Sequence, residues 1–254
     1  EQLNVTQSSV GAERVYAQLR AYDLGKPAVD EALIAFFQDH PDSRLKVQMA
    51  FAGLGIEPAN NSQLYLRTTT KKALPNAWRF KVMGGFPFIG VLLTLLWPAI
   101  GVTLMVVSLL VNVFYYILKR EGLDAEITSM GYLVRTIITA ERLAKISQPT
   151  QAALRQAVKP MRGITRFAFV FRTKTGSMGD ILTEYLSIMF MLSFIAYNTV
   201  LDRLSSHHAE ALALWQRLGD LELAIAIANF RTAEATTTQP VFAKGGMTAT
   251  DLAH

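Results

Sequence analysis

From Phe86 to Leu118 the chain reads FPFIGVLLTLLWPAIGVTLMVVSLLVNVFYYIL, 33 residues without a charged side chain. A helix crosses the hydrocarbon of a bilayer in roughly 20 apolar residues, so the run is too long for one comfortable span and just long enough for two short ones. Pro98 and Gly101 lie near its middle, where a missing backbone donor and a permissive glycine predict a turn at Trp97 to Gly101. Phe86 to Leu118 is therefore expected to be a two-helix transmembrane hairpin with arms of about 16 to 18 residues. Lys71, Lys72, Arg79 and Lys81 precede the run, and Lys119 and Arg120 follow it. Basic residues on both flanks put both ends on the cytoplasmic side. The competing reading is a hairpin buried in a large soluble core.

On either side of the run the apolar positions recur at helical spacing. Val15, Tyr16 and Leu19 share one face of a first helix, which Ser8 or Ser9 is placed to cap. Lys26 to Phe37 predicts a second helix with Pro27 in its first turn. A third is expected after a cap at Asp42 or Ser43, with Gly55 to Pro58 closing it. These three helices are expected to form a compact unit before the apolar run. Gln63 to Lys72 fits helix or strand equally. Beyond the run, Ile127, Met130, Leu133, Val134, Ile137, Ile138 and Leu143 mark another helix, and Pro149 to Val158 a further one. Arg166 to Arg172, RFAFVFR, alternates and places Phe167, Phe169 and Phe171 on one side if extended. From Asp180 the pattern is helical for about 50 residues, with a break expected at Ser205 to His208. Within it, Tyr185 to Leu201 is uncharged but holds Ser187, Ser193 and Asn198, and reads as a buried core helix rather than a third span.

Composition narrows the chemistry. Of 254 residues, 18% are charged and none is cysteine, which excludes disulfides, thiolate catalysis and cysteine-based zinc sites. The net charge of +5 is unevenly placed. From Arg142 to Gly179 there are eight basic residues, Arg142, Lys145, Arg155, Lys159, Arg162, Arg166, Arg172 and Lys174, and no acidic one. Such a segment suits phosphates of a nucleic acid, with the phenylalanine row adding base stacking. It suits anionic lipid headgroups equally, or a plain solvated surface. His207 and His208 are adjacent, so they point to different faces of a helix and make a poor start for a metal site. Asp180 and Glu184 are one helical turn apart at a helix start, where acidic side chains stabilise the macrodipole.

Two separated stretches, one opening NVTQSSVGAERVYAQLR and the other LWQRLGDLELAIAIANFRTAEATTTQPVF, resemble the MutS family of DNA mismatch repair proteins. The first, NVTQSSVGAERVYAQLR followed by DEALIAFFQDHPDSRLKVQMAFAGLG, is similar to the opening of that family's helical core. There, a polar turn ending in glycine precedes a helix with a Leu-Arg pair, here Asn4, Thr6, Ser8 and Gly11 with Leu19 and Arg20. The second, LWQRLGDLELAIAIANFRTAEATTTQPVF, resembles the end of the family's lever, on Leu218, Asp220, Leu221, Ala224, Ala226, Ala228 and Pro240. Glu222 stands where many members carry Asp, and Ala226 where many carry Ser. Neither the Phe-x-Glu mismatch wedge nor a G-x-x-x-x-G-K-[ST] phosphate loop is present.

The resemblance implies an all-α, MutS core and lever-like helical domain into which a membrane hairpin is inserted. Residues 1–81 would be the N-terminal part of the core, 82–120 the hairpin, 121–231 core and lever, and 232–254 a linker toward a C-terminal ATPase. It further implies a non-enzymatic fragment that needs no cofactor of its own, ATP and Mg being bound in the ATPase domain, and homodimerisation through that domain. The partners expected are the lipid bilayer and, through the basic segment, DNA, with the soluble parts in the cytoplasm. The alternative classes are a stand-alone helical membrane scaffold and a nucleic-acid binder.

Overall fold

The longest helix lies at the axis of the fold. α11 (His208–Ala233) buries Leu214, Trp215, Leu218, Leu221, Leu223, Ala224, Ile225 and Ala228, which point around most of its circumference. A helix apolar on nearly every side must be surrounded, and in the computed structural model α1 (Ser9–Arg20), α2 (Glu31–Asp39), α3 (Pro41–Leu54), α4 (Ser62–Arg67), α7 (Asp124–Leu143), α8 (Gln151–Val158) and α10 (Leu192–Ser206) all pack against it. The structure describes residues 5–21, 30–58, 61–67, 74, 76–171 and 178–234, and among these there is no strand.

Helix starts follow local chemistry. Ser8 caps α1, its Oγ accepting from the Gly11 N–H at 3.2 Å, and Asp30 caps α2 through the Ala32 N–H at 2.9 Å. α3 begins two to three residues earlier than a cap at Asp42 or Ser43 would place it, with His40 at its N-cap. Pro41 occupies its first position, where a missing N–H costs nothing, and Asp42 sits inside the first turn. Gly55, at φ 75°, ends that helix in a conformation glycine adopts freely. Residues 63–67 of the ambiguous segment belong to helix α4, which starts at Ser62. Pro27, Lys71 and Lys72 lie outside the described residues.

The helices before the apolar run do not make a unit by themselves. α1 and α2 pack on α11, and α3 packs on α7, so residues from both sides of the run build one core. Val10, Val15, Phe37, Val47 and Phe51 share it with Tyr132, Val134, Leu218 and Ala224. The reason is that each short amphipathic helix offers only one apolar stripe and must bury it against longer partners.

Two further helices project from this core. α5 (Ala77–Thr94) and α6 (Pro98–Arg120) pack on each other with residues 95–97 between them. A Cβ placed on Gly90 would lie 2.8 Å from the Met105 backbone, and one on Gly101 2.2 Å from that of Thr94. Asn112 reaches Met83. Facing pairs 83/112, 90/105 and 94/101 keep one antiparallel register along the whole length. The turn thus falls slightly before Trp97 to Gly101. Pro98 opens α6 at its first position, and Gly101 serves close helix approach rather than the turn itself.

α9 (Met178–Met189) and α10 replace the single core helix expected over Tyr185 to Leu201. They meet at a bend of 81°. Met191, fully buried, holds the left-handed conformation at φ 56° that starts α10, and Phe80, Tyr116 and Phe194 enclose it. Non-glycine residues take this conformation at a cost of about 1 kcal/mol, which burial of a methionine side chain offsets. The break at His207 falls where expected.

Candidate membrane contact and the cleft at its base

α6 is 23 residues long, its most apolar 18 residues have a mean hydropathy of 2.1, and only 17% of that stretch is buried by the rest of the chain. Taken singly it is the one described helix long and apolar enough to cross a membrane. At 1.5 Å per residue it spans about 34 Å, comparable to the hydrocarbon of a bilayer. Among the described residues, nothing of the chain covers the outer faces of α5 and α6. Phe88, Leu92, Leu95, Ile100, Leu110 and Phe114 all face outward. So do Phe86, Trp97 and Leu118. α5 carries Arg79 and Lys81 near its start, and α6 ends on Lys119 and Arg120, so the basic residues gather at one end, next to the core.

The inward faces of α5 and α6 are polar or small. Thr94 Oγ1 donates to the Gly90 carbonyl at 2.9 Å. Asn112, 2% exposed, donates both amide hydrogens to main-chain carbonyls, at 3.0 Å to Met83 of α5 and 2.7 Å to Met189 of α9. Tyr116 is buried one turn further on, donating its hydroxyl to Ser193 of α10 at 3.3 Å.

At the base of this arm lies a cleft of about 370 Å³ bordered by α6, α7, α9 and the turns at 165–171. Arg120 is 3.2 Å from Asp124 and 3.8 Å from Glu184, and Arg135 is 3.1 Å from Glu57. Asp180 and Glu184 therefore do more than favour a helix dipole: both line the cleft. The Arg120 pairs tie the end of α6 to α7 and to α9, and the Arg135 pair holds α7 to the turn after α3. Among the described residues no group of three or more His, Cys, Asp or Glu side chains is arranged to hold a metal ion.

The basic segment is an exposed surface. Arg142, Lys145, Arg155, Lys159, Arg162 and Arg166 are all exposed, from the end of α7 through α8 to the short 3-10 turns at Lys159–Met161 and Thr165–Phe167. Arg155 also donates to the Ala144 carbonyl at 2.8 Å. Arg172 and Lys174 lie outside the described residues. The phenylalanine row is not a stacking platform. Residues 165–171 run in tight turns, so Phe169 is exposed, Phe167 half-buried, and Phe171 packs into the core beside Gly131. Seven alternating residues are too few to hold an extended strand with no neighbour to pair with.

The two stretches that carry the family resemblance meet. Thr6 and Ser8 are buried at the start of α1, and Glu222 of α11, 3% exposed, accepts from the Gln7 and Ser8 main-chain N–H groups and from the Ser8 hydroxyl. A Cβ on Gly11 would lie 2.3 Å from that carboxylate, so only glycine fits. Arg14 pairs with Asp220 at 2.6 Å, and Gly219 lets α1 approach, a Cβ there falling 2.8 Å from Arg14. Burial pushes the Glu222 carboxyl above its usual range, while the hydrogen bonds from Ser8, Gln7 and Gly11 pull it back. Tyr132 extends the junction, accepting from the Ser9 N–H at 2.9 Å and donating to the Gly55 carbonyl at 3.0 Å. No local pattern marks Glu222 as a junction residue, because its partners lie more than 200 positions away. Asn4 and Pro240 lie outside the described residues. Comparison with protein-family models, with curated proteins and with solved structures finds no match to this chain.

Proposed function

We propose that the chain is the core and lever part of a MutS-like, membrane-anchored ATPase, tethered by α5 and α6 as a two-span hairpin whose ends both lie in the cytoplasm. What supports the reading above all is the junction of Ser8, Gly11 and Arg14 with Asp220 and Glu222. Ser8, Gly11 and Asp220 are among the positions on which the resemblance rests, and with Arg14 and with Glu222, which stands where many members carry Asp, they bring the two resembling stretches into one contact. On this reading α11 is a lever. It touches helices from both halves of the core, so a displacement at its C-terminal end, toward the ATPase, is felt by every helix packed on it. The fragment itself performs no catalysis, and ATP and Mg act in the ATPase domain, which also dimerises. DNA and the bilayer are the surfaces the core would act on.

The deciding observation is the coding sequence after His254. A G-x-x-x-x-G-K-[ST] phosphate loop within the next hundred or so codons is expected, and a stop codon in place of it overturns the proposal. The membrane half is tested by flotation of the protein with vesicles and by alkaline carbonate washing. Retention with α5–α6 alone protected from added protease is the expected result.

A further inference from the structure

α9 is an amphipathic helix turned inside out. Asp180, Thr183, Glu184 and Ser187, spaced at helical repeats, line the cleft against α6 and α7. The opposite face carries Met178, Ile181, Leu182, Tyr185 and Leu186, exposed by 80, 45, 59, 58 and 40%. A helix on a water-soluble core does the reverse, burying its apolar stripe and presenting its polar side to solvent. Five large apolar side chains on the outer face of one short helix imply that the medium outside is not water.

The position of the helix says what that medium is. α9 runs beside α6: Glu184 lies near Arg120, and Met189 is held by Asn112. At its far end Phe190 stacks on Phe88 of α5, centroids 4.9 Å apart, and the Phe190 carbonyl fits against Gly84. The bend at Phe190 and Met191 therefore sits beyond the basic residues at the base of the arm. It is three to seven residues past Lys81 on α5 and seven before Lys119 on α6, or roughly 5–10 Å at the helical rise. The exposed face of α9 continues the outward apolar faces of α5 and α6 through the Phe88–Phe190 contact.

A helix that stops inside hydrocarbon must satisfy its last carbonyls within the protein. The Phe190 N–H donates to the Leu186 carbonyl at 3.0 Å and that of Met191 to the Ile188 carbonyl at 3.4 Å. The Met189 carbonyl takes the Asn112 amide. This gives the one asparagine of an otherwise apolar helix a purpose. We propose that α9 and the bend after it form a re-entrant element that enters the shallow, core-facing layer of the bilayer beside α5–α6, with Ile181, Leu182, Tyr185 and Leu186 against lipid and Asn112 capping the broken end. The proposal rests on α5–α6 being in the membrane.

The chain has no cysteine, so single-cysteine variants of the full chain label cleanly. Leu182→Cys and Leu186→Cys on α9, Leu110→Cys on α6 and Gln156→Cys on the exposed side of α8 would each carry a nitrobenzoxadiazole probe. The protein is placed in phosphatidylcholine and phosphatidylglycerol vesicles, with doxyl-labelled lipids as membrane quenchers and iodide as the aqueous one. Labels at 182 and 186 are expected to be quenched by shallow doxyl lipid and shielded from iodide, the label at 110 by deep doxyl lipid, and the label at 156 by iodide alone. Iodide quenching at both α9 positions while 110 stays in lipid overturns the proposal and leaves the hairpin standing. Iodide quenching at 110 as well removes both. Shielding at 182 and 186 from both quenchers means that a second copy or another protein covers α9, which also overturns it. As a second readout, Asn112→Leu should open the label at 186 to iodide while the label at 110 stays in lipid; an unchanged label at 186 removes the capping role.

Discussion

The core and the projecting arm are both helical, but they sort residues in opposite directions. In the core, α7 turns Met130, Val134 and Ile137 inward, and α8 and the turns after it leave Arg155, Lys159, Arg162 and Arg166 exposed. In the arm, Asn112, Thr94, Gly90 and Gly101 lie between helices, while Leu92, Leu95, Leu110 and Phe114 face out. Water enforces the first arrangement, since apolar burial is worth about 25 cal/mol per Å² there. In lipid that drive vanishes between helices, and close backbone approach and buried hydrogen bonds take its place. The difference is the one two solvents would produce, and under the proposed reading Arg120 and its carboxylate partners lie at the boundary between them.

A charge set on the outside of each region separates them most sharply. Leu110 is near the middle of α6 and 65% exposed. Leu110→Arg should cost on the order of 3 kcal/mol of membrane insertion, the usual figure for arginine at the centre of a span. That corresponds to a loss of roughly 100-fold in partitioning to vesicles, measured by flotation. Gln156→Arg, on the exposed side of α8, should leave both flotation and stability within about 0.5 kcal/mol of the parent. Equal, small effects at the two sites would mean that α6 faces water.

Glycines test the core in the same paired manner. Gly11 has the Glu222 carboxylate where a methyl group would go, whereas a Cβ on Gly53, in α3, meets nothing within 4 Å. Gly11→Ala should destabilise by about 1–3 kcal/mol, as overpacking does. Gly53→Ala should stabilise by about 0.5–1 kcal/mol through its helix propensity. Denaturant titration reads both, and a shared sign would contradict the tight junction between α1 and α11.

Much of this architecture was readable along the chain, and the exceptions have a common cause. The uncharged run, the Ser8 cap and the break at His207 are local signals, set by residues within one or two helical turns. The bend at Met191 has no such signal: Phe190 and Met191 are neither turn residues nor breakers, and the left-handed conformation is imposed by Phe80, Tyr116 and Phe194. RFAFVFR misled for the same reason. Gly131 opens room for Phe171 alone, and nothing in the heptapeptide marks that one phenylalanine as different. The cleft was invisible too, because Glu57, Arg120, Arg135 and Glu184 come from four distant places in the chain.

Asn112 joins the two regions, and its removal should be felt at the boundary. Asn112→Leu keeps the volume but leaves the Met83 and Met189 carbonyls without this donor. An unsatisfied buried group costs about 1–3 kcal/mol, and part of it is recovered if α9 shifts, so an effect of about 1–2 kcal/mol on thermal stability in detergent is expected. Asn112→Asp should be worse than Asn112→Leu, because a carboxylate would face two carbonyls with no hydrogen to donate. The opposite order would mean that Asn112 serves as an acceptor, which the geometry does not support.

The smallest effect expected is a pH dependence confined to the core. Glu222 and Glu13 are both raised above the ordinary glutamate range, mainly by burial. A raised carboxyl binds its proton more tightly in the folded than in the unfolded chain, so its contribution is fully present below the unfolded pKa and is lost as pH rises through the folded one. Stability measured from pH 4 upward should therefore carry a falling component through that window, from these two carboxyls. Glu222→Gln cannot titrate and should flatten the slope by its share, leaving the part due to Glu13. The substitution also removes the negative charge and puts an amide NH2 where Oε2 accepts from the Ser8 hydroxyl, so it should lower stability at every pH at which the glutamate is ionised. Slope and offset are thus separable: a lower but parallel curve would show that Glu222 stays ionised throughout, the four donors at the start of α1 outweighing its burial.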